Sequence, residues 1–204
     1  MTRIAVIDFE TTGLSPTMGD RATEVAIVMV EGGSVVGRFQ SLMNAGVRIS
    51  PFIESFTGIS NAMVSAAPPA AEVMAAASAF VGDTPMVAHN ASFDRRYWQA
   101  ELARVGLAAP QPFACTVLLS RRLYPDVRSH SLGAMAAHHH LPSAGRAHRA
   151  LADAEVAAAL LARIQADLCE RFDLPEARHP LLMKVQASPK HAMARAVSQF
   201  LAAA

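Results

Sequence analysis

The sequence predicts an α/β domain: a mixed five-stranded sheet flanked by helices, followed by a helical C-terminal tail. Three observations carry this prediction. RIAVIDF (residues 3–9) is apolar on both faces, as a central strand must be. ATEVAIVMVEGG and SVVGRFQSLMN are two strand-like runs that meet at Gly32 and Gly33, a hairpin signal. Beyond them, short apolar runs alternate with segments of helical period, the pattern of β-α units. With 204 residues and 52% hydrophobic content, the chain can bury one such core.

The elements follow in order. TTGLSPTMGD (11–20) is a turn-rich loop, and PFIESFTGIS (51–60) reads as a short helix and loop. PPAAEVMAAASAFVG (68–82) opens with prolines and closes at a glycine, as a helix does. PMVAHN (85–90) is a short buried strand. ASFDRRYWQAELARVG (91–106) is a helix, expected to be capped by Asn90 or Ser92 and stopped at Gly106. PFACTVLLSRRLYP (112–125) gives a strand edge running into a helix, and SLGAMAAHHHL (131–141) a short helix. Residues 148–172 form a long helix. From about Asp173 the character changes: LPEARHPLLMKVQASPK is broken by prolines, and HAMARAVSQFLAAA is an apolar helical stripe. The expected division is a main domain over 1–171 and a helical extension over 172–204.

Composition narrows the class. A net charge of +1 gives no global attraction for long duplexes or membrane surfaces. Cys115 and Cys169 are far apart and read as reduced thiols of a cytoplasmic protein. No charged leader precedes the first strand, and no apolar run is long enough to span a bilayer.

The chemistry lies in the acids. Asp8 and Glu10 are two residues apart on an apolar strand, which puts both on one face. Two such charges repel and are costly to bury unpaired. A divalent cation is the natural compensation. Asp94, in HNASFD, sits in the first turn of a helix, and Asp153, in HRALADA, lies early in one; an acid in a first turn alone also favours the helix dipole. His148 stands five residues before Asp153. On one continuous helix the two would point about 140° apart, so they converge only if His148 lies on the entering loop. Consecutive His138, His139 and His140 point in different directions and read as a solvated helix end. Arg146 and Arg149 flank His148 and are candidates for steering phosphate. Trp98 and Tyr97 read as core.

DFETTGL, HNASFD and HRALADA, in that order, resemble the DEDDh 3′–5′ exonucleases, in particular the DnaQ-like group typified by the proofreading epsilon subunit of bacterial DNA polymerase III. The resemblance spans residues 4–164, with TGISNAMVSAAPPAAEV and SHSLGAMAAHHHL in support. It implies a ribonuclease H-like fold. It also implies two Mg²⁺ or Mn²⁺ ions, about 3.5–4 Å apart, held by Asp8, Glu10, Asp94 and Asp153. His148 would be the general base. Thr11, Thr12, Gly13 and Leu14 would seat the terminal nucleotide, with the Thr12 amide on the 3′-hydroxyl and Leu14 and Ile59 on either side of the base. His89, Asn90 and Phe93 would line the strand's path. The implied activity removes nucleoside 5′-monophosphates from the 3′ end of single-stranded DNA, as a stand-alone enzyme or a polymerase-bound proofreading subunit. The alternatives are an exoribonuclease or oligoribonuclease-like enzyme, and an inactive module that binds nucleic acid or a partner. Intact acids and histidine argue against the last. The tail's apolar stripe is a candidate either for closing a homodimer or for covering the domain's own surface.

Overall fold

The computed structural model describes residues 3–142 and 148–203. Five strands form one sheet in the order β3-β2-β1-β4-β5: β1 (Arg3–Thr11), β2 (Ala22–Glu31), β3 (Ser34–Leu42), β4 (Met86–Ala88) and β5 (Phe113–Cys115). β1, β2 and β3 pair antiparallel, while β4 and β5 run parallel to β1, so the sheet is mixed as expected. The hairpin turns at Gly32 and Gly33, with φ of 58° and 79°. Two successive left-handed residues are what a tight hairpin needs and what glycine supplies.

Alternation along each strand sorts the core into two layers. On one face, Ile4, Val6, Ala26, Val28, Val30, Val87 and Ala114 pack under α5 (Thr116–Leu123), α6 (Leu132–His139) and α7 (Ala150–Phe172). On the other, Ala5, Ile7, Phe9, Val25, Ile27 and Met86 pack under α3 (Ala70–Val81) and α4 (Ser92–Arg104). Trp98 and Tyr97 are fully buried in this second layer, as read from the sequence.

Helix ends mostly follow their signals. α3 starts after Pro69 and ends at Gly82, and α4 is closed by Gly106 with φ 71°. The start of α4 differs from expectation. Its N-cap is Ala91, and neither Asn90 nor Ser92 places a side chain on the free amides. Asn90 instead takes a left-handed φ of 67°, and its carbonyl accepts from the Phe93 amide. α1 (Pro51–Thr57) is expected. α2 (Asn61–Ser65), capped by the Ser60 hydroxyl, is an addition, because five residues are too short to show a period.

The C-terminal segment forms α8 (His179–Ala187) and α9 (Met193–Ala202). Leu181, Leu182, Val185, Met193 and Val197 are buried in the α7-side layer, so the stripe covers the domain's own surface. Two polar ties fix α8. His179 Nε2 lies 2.9 Å from the Met86 carbonyl, and the Gln186 amide bonds the backbone of Phe113 and Cys115. Leu182→Ala is expected to cost about 2–5 kcal/mol, the usual loss for a fully buried leucine. Chemical denaturation of the two proteins checks it.

Candidate active site

The β1 row that faces α7 reads Ile4, Val6, Asp8, Glu10: two aliphatics, then two acids in positions of the same kind. α7 meets the end of this row with its first turn, which carries Asp153. Carboxylate oxygens of Asp8, Glu10 and Asp153 all lie within 4.8 Å of one another. Asp94 arrives from α4 and does a structural task as well. β4 ends at Ala88, so the Phe9 amide has no strand partner, and Asp94 Oδ1 accepts its hydrogen at 3.1 Å. Asp94 is 2% exposed.

His148 lies outside α7, on the residues entering it, with φ 63°. Its amide donates to Asp153 Oδ2 at 3.1 Å, which ties the loop to the acid. Its ring packs against Phe56, with centroids 3.9 Å apart. Acids and histidine share a cavity of about 510 Å³.

Burial and mutual repulsion raise these acids. Burial, with Asp94 and Glu10 nearby, holds the Asp8 carboxyl well above its usual range. Burial, with Asp153 and Glu24 alongside, pushes Glu10 up to about 8. Burial takes Asp94 to about 7, against the hydrogen bond from Phe9. Burial raises Asp153 too. A set of clustered oxygens that resists carrying negative charge fits a hard divalent cation.

Glu24 joins the site without a signal in the sequence. It is the cross-strand partner of Glu10 and is 0% exposed. Burial would raise it, but hydrogen bonds from Arg149, Gln40 and the Ala150 amide hold it below its usual value. Arg149 reaches it through Nε at 3.1 Å and Nη2 at 2.9 Å. Arg149 is therefore bound to Glu24 and is not a free cation for phosphate. It anchors the start of α7 to the sheet, beside His148. Arg146 lies outside the described residues.

The loop after Glu10 is fixed by its own contacts. The ladder slips between Glu10 and Thr11, leaving Thr23 as an extra residue on β2. Thr11 Oγ1 and Tyr97 OH both donate to the Gly13 carbonyl, at 2.6 and 2.9 Å. A Cβ on Gly13 would sit 2.4 Å from the Asp20 carboxylate, which is why a glycine stands there. Thr12 donates its amide to the Arg21 carbonyl at 2.9 Å, so this amide is not open to a 3′-hydroxyl, contrary to expectation. The amides of Gly13 and Leu14, without an acceptor among the described residues, are the donors left to the loop.

Thr11, Thr12, Gly13, Leu14, His89 and Phe93 line the cavity, and Leu14 is 79% exposed. Ile59 and Asn90 do not line it. Ile59 is fully buried with Ile49 and Val64 behind α1. The wall expected from Ile59 is made by Phe52, Ile53 and Phe56 of α1. At the end of α6 the rings of His138 and His139 meet edge-to-face, centroids 4.6 Å apart, and His139 packs edge-on against Tyr124, while His140 is exposed; among the described residues the three histidines do not form a ligand cluster.

Solved structures share this architecture. Exonuclease X in complex with 5′ overhanging duplex DNA is 34% identical, with a TM-score of 0.65 over 79% of this chain and 90% of that one. E. coli exonuclease I with a dT13 oligonucleotide shares the fold at a TM-score of 0.72 and 17% identity, over 85% of this chain and 43% of that one. The mixed sheet with an acid-lined cavity at the end of β1 thus falls in the DnaQ-like, ribonuclease H-like class of these exonucleases. The RNase_T family model, described as Exonuclease, matches residues 5–161. The chain belongs to that family. Among relatives, DNA polymerase III PolC-type of Bacillus cereus is 35% identical over 81% of this chain. The 3′-5′ exonuclease DinG of Bacillus subtilis is 37% identical over 76% of it. This chain spans 12% and 16% of those two proteins. Among the described residues, no helix is long and apolar enough to cross a membrane.

Two outcomes follow. Glu10 and Asp94 titrate above their unfolded values, so the folded state holds protons the unfolded chain has released. In EDTA, the stability these groups provide is present at pH 4 and is lost as pH rises through about 7 and 8. Melting temperatures in EDTA should fall across that window, Mn²⁺ should raise them more at pH 8 than at pH 5.5, and calorimetry in two buffers should detect proton release on Mn²⁺ binding. Separately, Arg149→Ala leaves Glu24 buried without its cation, and should cost about 3–5 kcal/mol in a denaturation experiment.

Proposed function

We infer that the chain hydrolyses the terminal phosphodiester at the 3′ end of single-stranded DNA and releases nucleoside 5′-monophosphates. The observation that carries this reading is the meeting of Asp8, Glu10 and Asp153 oxygens within 4.8 Å, with His148 tied to Asp153 at the mouth of the same cavity. Asp8, Glu10, Asp94 and Asp153 would hold two divalent ions, Mg²⁺ or Mn²⁺. When bound, such ions polarise the scissile phosphate and lower the pKa of a water. His148, in its unprotonated form, takes the proton from the attacking water. The water oxygen forms the new P–O bond, and the bond to the 3′ oxygen breaks in line. The loop from Thr11 to Leu14 holds the terminal nucleotide, with Phe93 and His89 along its path.

Exonuclease X, solved in complex with 5′ overhanging duplex DNA, supports DNA as the nucleic acid. The PolC-type relative supports a proofreading role beside a polymerase, as one of two settings with a stand-alone enzyme. In either setting, residues 1–171 form the exonuclease domain and 172–204 its helical extension. Two free thiols, Cys115 and Cys169, suit a reducing, cytoplasmic setting.

A time course on 5′-labelled single-stranded DNA and RNA of matched sequence tests the reading. With Mn²⁺ the DNA should shorten from its 3′ end, faster than the RNA, and EDTA or Asp8→Ala should abolish this. Faster loss of RNA would replace DNA as substrate. No degradation of either would leave a binding module. His148→Ala should lower turnover by about 10²–10⁴-fold while Mn²⁺ affinity is kept; undiminished turnover would remove His148 from the mechanism.

A further inference from the structure

The cavity has a wall that no step above uses. α1 is a short, well-anchored helix. Ser50 caps its first turn, Gly58 closes it with φ 73°, and the Asn61 side chain clasps both backbone groups of Ile49 beneath it. Ile49, Ile59 and Val64 give this unit its own small core. Folding therefore does not need Phe52 and Phe56, yet both project from the helix, 73% and 46% exposed. They are one turn apart, and their rings are nearly parallel, 6° between planes and 6.1 Å between centroids. Phe56 packs in turn against His148, with the two rings tilted by 32°. The three rings form a file that starts at the histidine beside the acids and runs outward to solvent.

Large aromatic rings left in water mark a contact surface. A protein seated on Phe52 would block the mouth of the cavity whose wall it forms. A polynucleotide whose end lies among the acids, between Phe93 and His89 on one side and α1 on the other, has that wall beside it. Its bases are flat, apolar-faced and regularly spaced, and they stack on aromatic side chains with little regard to sequence.

We propose that Phe52 and Phe56 are a base-stacking subsite for nucleotides upstream of the scissile bond, with the exposed face of Phe52 receiving an unpaired base. The subsite rests on the exonuclease reading above. It selects single strands, because a base engaged in a duplex has no free face to offer. It also makes turnover depend on the bases behind the terminal nucleotide rather than on their identity.

The experiment is a coupling cycle between ring and base. kcat/KM is measured with Mn²⁺ for the parent and for Phe52→Ala on a labelled oligothymidylate. It is repeated on versions carrying one abasic residue at the second, third, fourth or fifth position from the 3′ end. Phe52→Ala should lower kcat/KM on the intact strand by about 5- to 150-fold, the range of one stacked base. That loss should vanish on the substrate lacking the stacked base. Phe52→Trp should restore turnover and Phe52→Leu should not. Equal loss on every substrate, or no loss on any, overturns the subsite while the parent's cleavage leaves the exonuclease reading standing. A parent that leaves the intact strand whole overturns both.

Discussion

Repulsion among carboxylates at the end of β1 is the constraint on which the rest of the site depends. The strand carries aliphatics at Ile4 and Val6 and acids at Asp8 and Glu10 along one row, buried except at the half-buried Asp8. Continuing that row with aliphatics would pack better and remove the strain. The acids persist because the sheet and its two layers of helices supply enough stability elsewhere to hold them together. Asp94 shows the same compromise at a finer scale. It accepts from a strand amide that β4 is too short to satisfy, and so keeps a buried charge-bearing group where the chemistry needs it.

Glu10 and Glu24 face each other across the same pair of strands, and their environments push them in opposite directions. The difference is Arg149. Its fork satisfies Glu24 and leaves Glu10 short of a partner. One carboxylate is thereby committed to holding α7, and the other is left for a ligand. The same contact sets where His148 stands, because His148 precedes Arg149 directly and its amide is tied to Asp153. The slipped register at Thr11 then turns the chain out of the sheet into the loop that faces the cavity.

Much of this was legible in the sequence wherever a residue conflicted with its surroundings. Asp8 and Glu10 stand out because the strand around them is apolar, and period-two alternation fixes their shared face without further information. HNASFD and HRALADA are legible as motifs. Glu24 was hidden because an acid beside threonine near a strand's start looks like ordinary solvated edge; only its pairing with Arg149, 125 residues away, shows it buried. Ile59 was misplaced as a cavity wall for the converse reason: an isoleucine after a glycine reads alike whether it faces a ligand or a small core. Phe52 and Phe56 carry no sign in the sequence of the side of a short helix on which they stand. Which side of α1 faces the protein is decided by Ile49 and Val64, outside the helix itself. α8 was obscured by its prolines, although Pro180 sits in its first turn, where proline is tolerated.

β5 is three residues long and lies at the rim of the sheet. A bare rim presents amides and carbonyls to any passing strand, and such rims nucleate aggregates. Gln186 meets this one with a single side chain: its oxygen accepts from the Cys115 amide at 2.6 Å, and its nitrogen donates to the Phe113 carbonyl at 3.1 Å. The carboxamide imitates the peptide group of an absent sixth strand. α8 thus closes this stretch of the rim: the two backbone groups that Gln186 occupies are no longer open to a second strand.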